Sequence, residues 1–316
     1  MAERARPAAV QVPIWRRRAW DSATAFWILV GPMILGLLIF VVVPIVWGLA
    51  LSFSNARNTI ALGNFVGLAN YQAMLQDPAF ISSLVTIVVF AIFIVPLTYA
   101  FSLFLAVLVH GTSWGQGFYR SVFFLPTACS YVVASLIWRM SIFNGLPYGL
   151  ANLILNIFYA GPITWIGTPS PPWYWLVLVT VRLWLQVGFY MILFIAGIQQ
   201  IPSEIYDAAR VDGTSGGWTM FRHITFPMLR NTSVFVVLVN IIAAFQAFDE
   251  FYNILGGTYA TSGNIVLARP PLVYLYQVAF GNQNFGTGAA GAFLLTLLIV
   301  VFTVFQGRIL GFGRAD

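Results

Sequence analysis

Long apolar runs separated by short polar connections fill almost the whole chain. The first runs from about Thr24 to Phe53, and others lie at about 84–109, 121–141, 173–198, 232–255 and 286–308. Each approaches the roughly 20 apolar residues that let a helix cross the hydrocarbon of a bilayer. The first run is too long for the core of a signal peptide and lacks a small-residue cleavage site, so it is expected to stay as span one. In lipid only a helix or a closed barrel satisfies its own backbone. The pattern therefore predicts an all-α integral membrane protein with six transmembrane helices. Residues 1–23 form a basic tail, 24–310 the membrane domain and 311–316 a short end. Pro96 and Pro126 fall inside spans, where neighbouring helices can satisfy the freed backbone groups.

Composition sharpens this picture. The chain is 60% hydrophobic and only 8% charged, against roughly 25% charged in ordinary soluble domains. All fifteen basic residues are arginine. A chain without lysine has no Walker A loop and no Schiff-base chemistry, so any ATP and magnesium must be held by another chain. His110 and His223 lie far apart, and Cys129 is the sole cysteine. No internal disulfide, metal-ligand spacing or recognisable nucleophile and base set results, which argues against an enzyme. The net charge of +6 comes from arginines at span flanks rather than along a stripe, so nucleic acid is not the expected partner.

The same arginines predict orientation. With the N-terminus inside, the cytoplasmic set is Arg4, Arg6, Arg16, Arg17, Arg18, Arg120, Arg210, Arg222, Arg230, Arg308 and Arg314, against Arg57 and Arg269 outside. Eleven against two places both termini and the polar stretch 199–231 in the cytoplasm. Arg139 is expected to reach outward at the outer boundary, with Trp165, Trp173 and Trp175 forming an interfacial belt there.

The stretch "EIYDAARVDGTSGGWTMFRHITFP" (204–227) is the most polar in the chain. Ser203 is a good N-cap, and Glu204 and Asp207 sit in early turns where the helix dipole favours acids. A helix from about Glu204 to Val211 is expected, stopped by Gly213 in the left-handed region. After a turn at 214–217, Trp218, Phe221 and Ile224 mark one side of a second short piece that Pro227 breaks. Ala208 and Ala209, flanked by Asp207 and Arg210, leave a low surface that fits a socket on a partner. An ordinary hydrated loop is the alternative.

"YDAARVDG" followed by "FRHITFP" resembles the EAA loop of permease subunits of binding-protein-dependent ABC importers. Asp207, Ala208, Ala209, Gly213, Ile224 and Pro227 have counterparts in that motif, and Asp212 is a variant common in the carbohydrate-importing branch. "GLANY" (67–71), "DPAF" (77–80), Trp138-Arg139 and "FDEFYNILGG" (248–257) extend the resemblance over most of 24–310. Three features depart from it: Asp207 replaces Glu, Phe226 replaces Leu, and the interval from Gly213 to Ile224 is one residue longer, the extra residue being assigned to Gly216-Gly217. The resemblance implies a partner permease, most economically a different chain, two ATPase subunits and an extracytoplasmic solute-binding protein. It implies a bacterial cytoplasmic membrane and transport of a carbohydrate or related polyol, glycerol phosphoesters included. Glu204, Asp207, Ala208, Ala209, Arg210, Asp212, Gly213, Phe221, Ile224 and Pro227 are then the residues that couple the chain to the ATPase.

Polar side chains inside spans are costly and mark function by default. In span four, Arg182, Gln186 and Tyr190 recur every four residues and share a face. In span five, Gln246, Glu250 and Asn253 form a second stripe with Asp249 adjacent. The two stripes are candidates for a solute passage. Arg182 is equally suited to a structural ion pair with Asp249 or Glu250, the acids to hydration at the outer interface, and the amides to interhelical hydrogen bonds. A secondary transporter or channel driven by an ion gradient remains the alternative function. It predicts paired internal repeats or an intramembrane carboxylate relay, and no convincing repeat is visible.

Overall fold

The computed structural model describes residues 22–159, 161–166, 170–214, 217–255 and 268–309. Most of the basic tail, the end 311–316, Gly216 and the "GGTYATSGN" stretch lie outside them. The described chain is almost entirely helical. Four helices are long and apolar enough to cross a membrane: α1 (Thr24–Ser52), α3 (Pro78–Gly111), α7 (Tyr174–Gln199) and α13 (Phe285–Arg308). Two bent pairs bring the number to six if each pair is one span. Between α1 and α3 lies the short α2 (Ala69–Gln76).

The bends are the main departure from the sequence reading. The third apolar run is not one rod. It divides into α4 (Gln116–Ala128) and α5 (Tyr131–Ile142), set at 92°. Pro126 supplies the cause: it has no N–H for an α ladder, and residues Leu125–Ala128 tighten into a 3₁₀ turn before the break. Ahead of the fifth run, α9 (Gly217–Met228) meets α10 (Arg230–Phe245) at a bend of 69°. The run itself breaks at Gln246–Phe248 before α11 (Asp249–Leu255). The expected single helix over 232–255 is therefore two pieces.

The straight spans agree more closely with the apolar runs. Helix α3 begins earlier than the hydropathy indicates because Asp77 caps it: the Asp77 Oδ1 accepts the Ala79 amide at 2.8 Å, with Pro78 at the first helical position. The other Asp77 oxygen accepts the Tyr274 hydroxyl of α12 (Pro271–Tyr276). Asn70 donates to the Ser52 and Ser54 carbonyls, both at 2.9 Å, and its oxygen accepts Thr287. "GLANY" and "DPAF" thus knit three connections together at one end of the bundle. Pro96 stays within a continuous helix, and the buried Asn240 of α10 reaches the neighbouring Val95 carbonyl.

A buried cap stands at the same end. In α6 (Leu150–Ile157) Asn152 is fully buried, donating to the Leu146 and Ile163 carbonyls and accepting the Ile163 amide and the Trp165 indole N–H. This corrects the belt assignment for Trp165. Trp165 is a core residue, packed edge-on against Phe143 and Trp173, and Trp175 packs on Phe90 and Phe251. Arg139 is exposed, and its guanidinium donates to the Asn253 carbonyl at 3.0 Å. That is a favourable place for a cation, in the last turns of α11.

Helix α7 runs straight through the core, packed against α3, α4, α10 and α11. Two of its glycines mark close approaches. A Cβ at Gly188 would lie 1.8 Å from the Phe123 carbonyl oxygen, and one at Gly197 would lie 2.5 Å from Thr232 Oγ1 and 2.9 Å from Leu229. Each sits beside a bend, one just before the 3₁₀ turn of the third span and the other at the break of the fifth.

Candidate functional site

Two features collect the polar residues singled out in the sequence. The first is a helical hairpin between α7 and α10. After Gln199 the chain turns at 200–202 and forms α8, Ser203–Val211. Ser203 is the first helical residue rather than the cap: Pro202 occupies the capping position and no side chain caps it. A proline before the first turn needs no N–H there, so the start is fixed by backbone geometry instead.

The C-terminal stop is as expected. Gly213 has φ +87°, the Gly213 amide bonds the Arg210 carbonyl, and the Thr214 amide bonds the Ala209 carbonyl at 2.9 Å. Together these bonds form a Schellman cap. Glu204, Asp207, Ala208, Arg210, Asp212 and Gly213 are exposed, while Ile205, Tyr206 and Ala209 are half-buried. Asp207 and Arg210 pair at 2.6 Å on the outer face. Val211 is 87% exposed, so the end of the helix presents an apolar side chain with no cover from this chain.

The return limb, α9, runs further than expected. Pro227 does not end it at Ile224; the helix continues to Met228 and bends at Leu229. Residues Phe221–Thr225 form a π turn, closed by the Phe226 amide on the Phe221 carbonyl. A π turn takes one more residue than an α turn. It lies across the end of the interval that is one residue too long, an alternative to the Gly216-Gly217 assignment. Trp218, Phe221 and Phe226 stack in series. Phe221 also packs on the buried cluster of Leu103, Tyr190, Phe194 and Ile198. The two limbs are joined by Tyr206 and Thr225, whose hydroxyls meet at 3.1 Å.

The second feature is a buried polar joint around Arg182, eight residues and about 12 Å into α7. Arg182 is 4% exposed and Glu250 1%. One guanidinium nitrogen donates to Glu250 Oε1 at 2.5 Å and the other to the Ala243 carbonyl at 2.5 Å. Tyr131 of α5 lies flat beside it, ring centroid 5.4 Å from Arg182 Cζ. A buried ion pair is sustained only by such extra hydrogen bonds.

The expected stripe of Gln246, Glu250 and Asn253 is interrupted by the break. Gln246 is exposed at the end of α10, Glu250 is buried, and Asn253 donates to the Asp249 carbonyl at 2.7 Å. Asp249 is half-buried in the first turn of α11. In α7, Tyr190 is buried in the apolar cluster near the hairpin and Gln186 is half-buried, its side-chain oxygen without a partner. Sequence reasoning found Arg182 and Glu250 but missed Tyr131 and the Ala243 carbonyl. No pattern marks a lone tyrosine after a break, and a backbone acceptor carries no side-chain signal. Among the described residues no group of histidine, cysteine and acid side chains could hold a metal ion.

Comparison with known proteins agrees with this architecture. Residues 98–310 match the family model described as the binding-protein-dependent transport system inner membrane component. The chain is 32% identical over 286 residues to the sn-glycerol-3-phosphate transport system permease protein UgpA of Agrobacterium fabrum, covering 89% of this chain and 93% of that one. It is 30% identical over 313 residues to the arabinooligosaccharides transport system permease protein AraP of Bacillus subtilis, covering 98% and 96%. In fold it is similar to a chain of a bacterial ABC transporter involved in the import of the acidic polysaccharide alginate, with TM-score 0.79, 18% identity, and 95% and 100% coverage. With well over half its length matched by the family model, the chain belongs to the inner membrane components of binding-protein-dependent transport systems.

Proposed function

We propose that this chain is the transmembrane subunit of an ATP-driven importer for a carbohydrate or a related polyol, a glycerol phosphoester among them. The observation that carries the coupling half of this reading is the hairpin 203–228. It is a short helix with a glycine stop, an exposed face around Ala208 and an uncovered Val211, joined to a straight span by three residues. The family supports a bacterial membrane, and the arginine distribution supports a cytoplasmic position for that hairpin. There Glu204, Asp207, Ala208, Ala209, Arg210, Asp212 and Gly213 meet the cleft of an ATPase that holds ATP and magnesium. Phe221, Ile224 and Pro227 shape the return limb. A second permease, two ATPase subunits and an external solute-binding protein complete the assembly.

The relatives named for glycerol phosphate and arabinooligosaccharides support the solute class. Within the chain, the break at Gln246–Phe248 is the best place for a hydroxylated solute. Broken helices in transporters offer unwound backbone and polar side chains where irregular backbone lines a cavity. Gln246, Asp249 and Asn253 lie at that break, with Gln186 on the facing span.

Co-purification tests the reading. The chain should bring down a second permease and an ATPase, and Asp207→Trp should release the ATPase while the membrane subunits stay together. ATPase stimulation of the reconstituted complex across a panel of sugars and glycerol phosphoesters then names the solute. Uptake by the isolated chain that follows a proton or sodium gradient overturns it.

A further inference from the structure

The buried joint does more than neutralise a charge. Ala243 lies in the last turn of α10, where the final carbonyls of a helix have no intrahelical partner. Glu250 lies in the first turn of α11, on the other side of the break. Arg182 therefore contacts both halves of a broken span at once, through different nitrogens of one planar group. No described residue between Gln246 and Phe248 is proline or glycine, so the break has no local backbone cause. The guanidinium fork, which matches two acceptors in a fixed geometry, supplies one.

From this we infer that Arg182 is a positioning residue. It fixes the angle between α10 and α11 and ties that angle to α7, the span that leads straight to the hairpin. Arg182 and Gln199 are seventeen residues apart on one unbroken helix, about 26 Å. A displacement of the hairpin thus reaches the break through a rod and a two-pronged clamp. The inference deepens the function proposed above and rests on it.

The two-acceptor geometry makes a specific claim about substitutions. Glu250→Gln keeps the shape and a carbonyl acceptor but removes the charge. Arg182→Lys keeps the charge but replaces two nitrogens in a plane with one. A residue that only stabilises the fold loses ATP hydrolysis and transport together, in proportion to the complex that assembles. A positioning residue loses transport per ATP consumed.

The test uses the full complex with its ATPase and solute-binding protein, reconstituted in vesicles, with Cys129 replaced by alanine. Spin labels at Phe235 of α10 and Leu176 of α7, both exposed, report the distance between the two helices with and without vanadate trapping. In the parent complex trapping shifts the distance between two narrow distributions. Arg182→Lys and Glu250→Gln should assemble and hydrolyse ATP, but broaden both distributions and lower solute moved per ATP by about tenfold, within the usual range for coupling between sites. Should Arg182→Lys fail to assemble, the isosteric Glu250→Gln decides. Narrow distributions and an unchanged transport-to-ATP ratio in the assembled variant overturn the clamp. A parent complex whose distances ignore nucleotide overturns the coupling reading beneath it instead.

Discussion

Replacing Gly213 isolates the contribution of one backbone angle to the hairpin. With φ at +87° and no heavy atom within 4 Å of a Cβ built there, a side chain meets no steric obstacle. Only the conformational cost of a left-handed L-residue remains, about 1–2 kcal/mol. The Schellman bonds from Gly213 and Thr214 are solvent-accessible, so water replaces much of what they lose. Helix α8 has nine residues and none of them is buried, and a helix that short is marginal on its own. A loss of about 1 kcal/mol, a factor of about five in population, is therefore comparable with what holds it.

The expected order is Gly213 similar to Gly213→Asn, then Gly213→Ala, then Gly213→Val. Asparagine tolerates the left-handed region, and a β-branched residue tolerates it least. Amide hydrogen exchange of Asp207–Val211 in the assembled complex reads the fraying directly, and solute-stimulated ATP hydrolysis reads its consequence. Alanine should speed exchange about fivefold and valine more. The reasoning fails if valine exchanges as slowly as glycine, or if asparagine is as harmful as valine.

Other substitutions test the packing. Gly188→Ala should prevent a stable complex, because its Cβ would sit 1.8 Å from the Phe123 oxygen and 2.6 Å from its carbon, so backbone has to move; thermal aggregation of the purified subunits measures this. Asn152→Ala strands the Ile163 amide and carbonyl and the Trp165 indole N–H at a fully buried site and should cost about 3 kcal/mol, seen as protease cleavage within 143–173 at lower temperature. Asp77→Ala removes both a helix cap and the partner of Tyr274, a loss of about 1 kcal/mol or more. That predicts a fall in unfolding temperature of about 2–4 °C per kcal/mol, with Asp77→Asn falling between it and the parent.

The pattern of apolar runs read the order of the long apolar helices well because a helix must be apolar wherever it meets lipid. It read their direction poorly, since hydropathy is blind to a bend. Pro126 was the one local sign of the 92° turn. The break at Gln246–Phe248 has no sign at all, because its cause is Arg182, sixty-one residues from the Ala243 carbonyl it holds. The hairpin was legible for the opposite reason. Its stop depends on Gly213, and a glycine at the end of a helix announces its own conformation. Trp165 was misread because tryptophan near a span end usually belongs to the interface, and only the buried Asn152 across the connection shows that this one is covered.

Helix α7 carries three seats: Gly197 against the Leu229 break, Gly188 against the backbone before the 3₁₀ turn, and Arg182 against both sides of the 246–248 break. Breaks in both bent spans thus sit against α7, which like α3 is itself uninterrupted. The tightest seat is Gly188, where backbone meets backbone, and it is the natural pivot for a rigid helix. A tilt about Gly188 moves Gln199, eleven residues away, and Leu176, twelve residues away on the other side, by similar amounts in opposite directions. Trp184, only four residues from the pivot, moves about a third as far. A sliding helix moves all three alike. Labels at Leu176, Trp184 and Gln199, all exposed, measured against a fixed site on α3 before and after vanadate trapping, separate the two motions. Equal displacements in one direction refute the pivot, and with it the idea that the glycine seats set the direction in which force from the hairpin reaches the joint at Arg182.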